Sequence, residues 1–489
     1  MTLPELHQQV RATCDAGGHL ALLTACAQDA SDLALVAVLI PPGGQQVELL
    51  FAPVGPGASY PALSADVPQA HWFERALGDM FGLHPEGHPR FKSLILHEAW
   101  PDHFHPLRDA HWPEDIVARH YPFLSVEGQG VFEIPVGPIH ASVIEPGHFR
   151  FSCLGEIIEN LEIRLGYQHR GLEQQLTQVP WQKARFWAEA ASSDTSVGNA
   201  LAHAWAVEDL LQATPPREAV LRRALALEIE RIASHLGDLG GLAADIGYAG
   251  GAAIFGRLRG QALGLGEWLT GSRFLTGYVI PGGVAFDSPP PTRDHVSRDL
   301  EALQTATRSA VDLFLENPSV LERMEGIGRL RPRLARQFGL VGPAGRASGV
   351  ACDIRQQLRQ EPWSSLTWTP ASGGTGDVLS RAQVRVSELH TSLDLVGQML
   401  QQWSSGPLSA PLPADLPVRA CGLGIVEAWR GELLHLIMTD AAGRIVRYAI
   451  KDPSFHNWTG LAIAARGELV ADFPLCNKSF SLSYSGNDL

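Results

Sequence analysis

Residues 221–243 read LRRALALEIERIASHLGDLGGLA, and within them Leu221, Leu225, Ile229, Ile232, Leu236 and Leu239 recur every three or four positions. That period puts all six on one face of a long helix, and such a face is stable only when other elements cover it. Helical patterns of this kind dominate from about residue 165 to about 400. They are broken at Ser288, Pro289, Pro290 and Pro291, after which a long helix is predicted to run to about Leu315. A linker rich in Ser and Pro at 404–417 then precedes a small β region containing GELLHLIMTD and GRIVRYAI.

The N-terminal end is patterned differently. Apolar runs at 19–27, 33–40 and 47–53 are separated by turn residues such as Pro41, Pro42, Gly43 and Gly44, which reads as short strands. Residues 71–83 read as a helix, a loop rich in His and Pro follows at 97–113, and 131–165 read as a short antiparallel sheet. A chain of 489 residues is long enough for two domains with sizeable cores. The expected architecture is therefore an α+β domain over 1–120, followed by a mainly α-helical domain with small antiparallel β-sheets over 121–489.

Composition narrows the function classes. Hydrophobic residues at 45% and charged residues at 18% describe a well-packed globular protein. A formal charge of -14 without any basic cluster argues against a nucleic-acid surface and leaves other proteins as the expected partners. No run approaches the roughly 18–20 apolar residues that span a bilayer, and the start MTLPELHQQV lacks the layout of a signal peptide. The expectation is a cytoplasmic chain that docks on a membrane-embedded partner. Its six cysteines (Cys14, Cys26, Cys153, Cys352, Cys421 and Cys476) are scattered, with no two within four residues. They offer no CxxC clamp, so iron-sulfur clusters are expected in a partner and no cofactor in this chain.

The run HWFERALGDMFGLHPEGHPRFKSLILHEAWPDHFHPLR at 71–108 places Glu74, then Asp79, Met80, Phe81 and Gly82, then Gly87, His88 and Pro89, and finally Pro106, Leu107 and Arg108. It resembles the signature of the 30 kDa-type subunit of respiratory complex I. Further on, GYQHRGLE (166–173), AVEDLL (206–211), LEIERIASHLGDL (227–239), VIPGGV (279–284), GPAGRASGVACDIR (342–355) and IVEAWRGE (425–432) resemble two branches of one family. These are the 49 kDa-type subunit of complex I and the large subunit of membrane-bound nickel-iron hydrogenases. The wording GPIHASVIEPGHFRF at 137–151, and the union of both subunit types in one chain, are nearer to the formate-hydrogenlyase or hydrogenase-4 type. The resemblance implies a nickel-iron hydrogenase large-subunit-like fold, placed peripherally on the inner face of the cell membrane. It also implies as partners an iron-sulfur small subunit and antiporter-like and heel-type membrane subunits.

In the hydrogenases of this family two pairs of cysteines hold the metals, because nickel and low-spin iron need soft thiolates. The spacing to Ala206, Val207 and Glu208 puts the first pair at Ser192 and Thr195, and the family's S-L-D-P-C-Y-S-C ending puts the second at Ser483 and Gly486. Hydroxyls stay protonated near neutral pH and glycine offers no side chain, so no metal is assigned to this chain. Cys476 lies seven residues ahead of Ser483. Its neighbours Phe473, Pro474 and Leu475 read as the end of a buried strand, where a lone Cys acts as a small apolar residue. His140, His148, His169 and His203 share no ligand-like helical spacing and read as hydrogen-bonding or surface histidines.

Glu173 matches a glutamate that is a proton gate in hydrogenases and lies near the quinone pocket in complex I. Beside that role stands a second reading, an ion pair with Arg170 three positions away. Arg430 matches an arginine that contacts the iron's diatomic ligands in hydrogenases, but Trp429 replaces the family's proline and suggests a pocket filled by side chains. Arg346 and Asp353 are expected in structural salt bridges. In complex I the quinone head is held by a hairpin histidine, matched by His140, and by a tyrosine, yet no tyrosine occurs between Tyr167 and Tyr248. His140 stays a candidate proton donor, and His169, Arg170, Ser192, Thr195, Arg430, Ser483 and Gly486 are expected around the former metal cavity. The main expectation is a metal-free large subunit that couples a redox or conformational event to ion movement. Two alternatives are a reductase of quinone or another small acceptor in the vacated cavity, and a structural coupling subunit without chemistry.

Overall fold

A computed structural model describes residues 1–27, 33–44, 46–55, 59–109, 113, 120–141, 144–289 and 292–489. Pro290, Pro291 and residues 110–112 of the His- and Pro-rich loop, on which sequence expectations fell, lie outside the described residues, as do 114–119 beside the expected boundary at 120.

The chain opens with α1 (Leu3–Asp15), an element that the apolar runs did not announce. It starts in a reciprocal capping box: Glu5 N–H donates to Thr2 Oγ1 at 3.4 Å, and Thr2 N–H donates to Glu5 Oε2 at 2.8 Å. The three apolar runs form an antiparallel meander, β1 (His19–Ala27), β2 (Leu33–Ile40) and β3 (Glu48–Val54), with β2 central and buried along its whole length. A short parallel pair, β4 (Ser59–Pro61) and β5 (His84–Glu86), flanks the amphipathic helix α2 (His71–Phe81).

The expected second sheet is present as β6 (Val131–Val136), β7 (His148–Leu154) and β8 (Ile157–Arg164), all antiparallel. Helices α3 (Leu172–Gln178), α4 (Trp181–Glu189), α5 (Ser196–Leu211), α6 (Arg217–Asp245) and α7 (Ala249–Thr270) follow. A two-residue pair, β9 (Val279–Ile280) and β10 (Gly283–Val284), leads to α8 (Thr292–Leu315), which ends where the pattern predicted. Four short helices, α9 (Pro318–Met324), α10 (Pro332–Gln337), α11 (Gly342–Ala347) and α12 (Ile354–Gln357), precede the long α13 (Val378–Gln402). The chain closes with the antiparallel sheet β11 (Cys421–Ala428), β12 (Gly431–Thr439) and β13 (Ile445–Lys451), then α14 (Ser454–Ala464) and α15 (Phe473–Phe480). Phe473, Pro474 and Leu475 are thus the first turn of a helix and not a strand end. Pro is tolerated at that position because the first N–H groups of a helix have no internal acceptor.

The apolar face of α6 is covered as its pattern demands: Leu221, Leu225, Ile229, Ile232, Leu236 and Leu239 are all buried in the largest core, with α5, α7, α8 and α13 around them. Helix α5 lies directly on β11, close enough that a Cβ on Gly424 would sit 1.9 Å from Ala202 O. The N-terminal meander does not keep a core to itself. Its apolar side chains form one cluster with Ile425, Leu434, Leu436 and Ala449 of the last sheet. Polar contacts tie the same seam: His19 Nε2 lies 2.6 Å from Glu432 Oε2, and Arg447 Nη2 donates to Thr24 Oγ1 at 2.8 Å.

Across the middle of the molecule runs a buried ionic network. Arg346 of α11 donates to Glu388 of α13 and to Glu427 of β11, each at 2.8 Å. Arg355 of α12 donates to Asp353 at 2.7 Å and to Glu228 of α6 at 2.8 Å, and Glu228 also accepts from Arg231 Nε at 3.2 Å. All of these groups are buried. Burial works against the charge on Arg346, yet Glu388, Glu427 and Asp353 outweigh it and push its pKa up. The expected structural role of Arg346 and Asp353 is visible here, with Asp353 Oδ2 3.9 Å from Arg346 Nη1. Removing one member of such a set leaves buried charge uncompensated. Arg346→Leu is therefore expected to cost about 3–5 kcal/mol in urea unfolding, against little change for the exposed Arg298→Leu.

Candidate functional site

Three distant stretches meet at the N-terminus of α5. Ser192, Asp194 and Thr195 lie just ahead of the helix, Trp429 and Arg430 occupy the tight turn between β11 and β12, and Ser481, Ser483 and Gly486 follow α15. Ser192 Oγ is 3.1 Å from Ser483 Oγ, and Ser483 Oγ accepts the Gly486 N–H at 2.9 Å. Asp194 is the hub. Its Oδ1 accepts from Ser192 Oγ at 2.9 Å and from Thr195 Oγ1 at 3.1 Å, while Arg430 grips both oxygens, Nη1 to Oδ1 at 2.6 Å and Nη2 to Oδ2 at 2.7 Å. The Trp429 indole N–H donates to Asp194 O at 2.9 Å and to Thr195 Oγ1 at 3.1 Å, and the Arg430 guanidinium lies 3.8 Å from the indole centroid. All four positions assigned from sequence, Ser192, Thr195, Ser483 and Gly486, are brought into one cluster.

The electrostatics are those of an ion pair between a buried Arg430 and an Asp194 that is open on its outer side. Burial works to raise the pKa of Asp194, but the Arg430 charge and the two hydroxyl donors bring it down to about 2. Below it, Glu230 of α6 accepts the first free amides of α5, Val197 N–H at 2.7 Å and Gly198 N–H at 3.1 Å. This caps the positive end of the helix from inside. Burial, with Asp194 adding to it, pushes Glu230 up to about 8 against those two donors. On the outer side a cavity of about 370 Å³ exposes Asp194 and Arg430 between Asp238, Gly240 and Arg259. The donor set at the centre is three hydroxyls, one carboxylate and one guanidinium. Among the described residues, no three His, Cys, Asp or Glu are grouped to hold a metal ion.

Glu173 does not pair with Arg170. The chain turns through Gly171 in a left-handed conformation before α3 begins at Leu172, which separates the two side chains. Glu173 instead meets Arg447 Nη1 at 2.9 Å and accepts the Ile450 N–H at 2.8 Å. Arg170 donates to the carbonyls of Ala190, Ala191 and Ser485 at 2.8–3.0 Å, so it braces the cluster through the backbone. Glu173 and Arg447 line a second cavity of about 70 Å³, walled by Leu77, Met80, Phe455 and Leu489 at the seam with the N-terminal meander. His169 is half-buried beside Asp488 and Glu173.

His140 stands apart in the β6–β7 loop, its Nε2 2.8 Å from Gly147 O, and His148 Nδ1 is 3.1 Å from Gly137 O. The hairpin reaches the cluster through Glu145, which accepts the N–H groups of Tyr484 at 3.2 Å and Ser485 at 3.3 Å. Cys476 is buried against Arg381 and Gly328, and burial pushes its thiol up to about 11. Sequence reasoning missed Asp194, Arg447 and Glu145. Asp194 carried a signal, an acid set between Ser192 and Thr195, whereas the other two are defined only by chain crossings.

Comparison with known proteins gives a consistent result. Residues 2–115 match the family described as Respiratory-chain NADH dehydrogenase, 30 Kd subunit, and residues 245–420 match Respiratory-chain NADH dehydrogenase, 49 Kd subunit. The chain is 33% identical over 437 residues to formate hydrogenlyase subunit 5 of Escherichia coli, covering 88% of this chain and 77% of that one. It is 31% identical over 436 residues to hydrogenase-4 component G of the same organism, covering 88% and 76%. It is also 30% identical over 368 residues to NADH-quinone oxidoreductase subunit 4 of Thermus thermophilus, covering 70% and 90%.

Two measurements check this geometry. Because the folded chain holds the Glu230 proton up to about 8 while the unfolded chain releases it near 4.5, the folded state binds more protons between those values. The Glu230 contribution to stability then falls as pH rises through that window, and urea midpoints against pH should lose that part of the slope in Glu230→Gln. A Cβ at Gly486 would sit 2.5 Å from Asp452 Oδ2. Gly486→Ala should therefore lower the melting temperature, and Asp452→Ala should rescue part of that loss in the double variant.

Proposed function

The chain belongs to the family that unites the 30 kDa- and 49 kDa-type subunits of complex I with formate hydrogenlyase subunit 5 and hydrogenase-4 component G, and from that premise we propose that it is a hydrogenase-related large subunit working without nickel in a membrane-anchored redox complex. The observation that carries this reading is the filled centre. Where a nickel-iron site would need four thiolates, Ser192, Thr195 and Ser483 present hydroxyls already hydrogen-bonded to one another or to Asp194. Gly486 presents only backbone, against the Asp452 carboxylate. Hydroxyls near neutral pH are poor substitutes for thiolate, and the buried Arg430 forms a salt link with Asp194, which is open to the outer cavity. The residues present do not fit a thiolate-bound metal centre.

In this reading the chain receives no electrons through a cluster of its own, since its cysteines are dispersed. An iron-sulfur small subunit supplies them, and antiporter-like and heel-type membrane subunits translate the event into ion movement. Among the described residues no helix is long and apolar enough to cross a membrane, which suits a peripheral position on such a base. The cavity beside Glu173, about 70 Å³, is about half the roughly 150 Å³ cavity that accommodates benzene. That size disfavours a quinone ring at Glu173.

The test is purification of the intact complex from native membranes in mild detergent, followed by metal analysis and mass spectrometry. The expected result is nickel far below stoichiometric, no hydrogen turnover, and recovery with an iron-sulfur subunit and antiporter-like proteins. Stoichiometric nickel with hydrogen turnover would overturn the reading.

A further inference from the structure

Behind the Asp194 cluster, and outside everything assigned above, three fully buried polar rings are joined end to end. Tyr448 of β13 stands between His203 of α5 and His435 of β12: its hydroxyl oxygen is 2.8 Å from His203 Nδ1 and 2.9 Å from His435 Nδ1. His435 Nε2 is 3.1 Å from Asn199 Oδ1, and Asn199 Nδ2 donates to Thr195 O at 2.9 Å. His203 Nε2 is buried without a hydrogen-bond partner.

These contacts fix where each proton sits. A backbone carbonyl only accepts, so Asn199 Nδ2 faces Thr195 and Asn199 Oδ1 faces His435. His435 Nε2 must then carry the proton that Oδ1 accepts. A neutral imidazole protonated at Nε2 leaves Nδ1 as an acceptor, so the Tyr448 O–H donates to His435 Nδ1. The Tyr448 oxygen accepts in turn from His203 Nδ1–H, which leaves the lone pair of His203 Nε2 as the open end. Every bond points the same way, from His203 through Tyr448 to His435.

We propose that His203, Tyr448 and His435 form a proton relay that takes a proton at His203 Nε2 and delivers positive charge to His435, behind Asn199 and Thr195. The step balances without any electron change. A proton adds to His203 Nε2, the His203 Nδ1 proton passes to the Tyr448 oxygen, and the Tyr448 hydroxyl proton passes to His435 Nδ1. His435 becomes an imidazolium with both N–H groups bonded, one to Tyr448 and one to Asn199. The amide of Asn199 does not pass the proton on, so the charge stops one residue layer from the Asp194–Arg430 pair. There it would compensate negative charge arriving at the centre. The relay does not depend on whether the chain holds nickel.

The charged and titratable groups facing the relay are Arg185 from α4, which acts on His203, Glu173 from α3, which acts on Tyr448, and His203 itself, which acts on His435. Burial holds His203 down to about 3, with Arg185 adding to it, and holds His435 well below its ordinary value, with His203 adding to it, so the charged form is a minor, transient state near neutral pH. Relaxation-dispersion NMR on the full chain labelled with ¹⁵N-histidine detects such states. The neutral spectrum is expected to show His203 protonated at Nδ1 and His435 at Nε2. As pH falls, exchange at His435 Nδ1 should grow together with exchange at His203. In Tyr448→Phe the His203 nitrogens should still respond while His435 falls silent, and His203→Gln should silence His435 as well. Opposite tautomers, a His435 response that persists in both variants, or no His435 response in the wild-type chain would each overturn the relay. A hydrogen-bond network with only a structural role predicts that last result.

Discussion

The buried contact between Arg346 and the carboxylates of Glu388 and Glu427 is the constraint on which most of the architecture rests. It joins α11, α13 and β11, and through Arg355, Asp353 and Glu228 it adds α12 and α6. Hydrophobic packing alone would let those helices slide over one another, because dispersion contacts carry little direction. Guanidinium forks meet carboxylates only in defined planes, so the network fixes the angle at which α6 passes behind the last sheet. Arg231 extends it by donating to Ala428 O at 3.0 Å, at the entrance of the turn that presents Trp429 and Arg430. The position of the Arg430 fork over Asp194 is therefore inherited from ion pairs deeper in the fold.

The centre and the network obey the same physics but differ in exposure. The network is buried, and its charges survive only because each has partners. The Asp194–Arg430 pair opens on one side to a cavity and is also held by the Ser192 and Thr195 hydroxyls. The Asp194 carboxylate and the Arg430 guanidinium make a neutral unit among uncharged hydroxyls. Glu230 caps α5 from below and adds a titratable group directly under this unit, so the centre sits among groups whose protonation is mutually dependent.

Much of the fold was legible from pattern. Strands at 19–27 and 33–40, the three-stranded sheet within 131–165 and the helix ending at Leu315 all follow from apolar period and punctuation, which report local structure directly. Helix α1 was not anticipated, because its start depends on the Thr2 and Glu5 capping box more than on apolar content. The residues 473–475 read as a strand because three apolar or rigid residues in a row carry no period. The Arg170–Glu173 pairing failed for a backbone reason: a left-handed Gly171 intervenes, and spacing rules hold only inside one helix.

By itself the sequence determined the resemblance to two subunit types, the helical character of the middle, the dispersion of the cysteines and which residues stand at 192, 195, 483 and 486. Each of these is a matter of local pattern or of residue chemistry, which needs no knowledge of what lies across the fold. Only the tertiary structure decided that Asp194 ties Ser192 and Thr195 to Arg430, that Glu173 answers to Arg447, and that the N-terminal meander shares its core with the last sheet. It alone aligned His203, Tyr448 and His435 into one directed chain. Most of those relations join residues more than two hundred positions apart, and hydrogen-bond direction has no signature in sequence because it is set by what each atom faces.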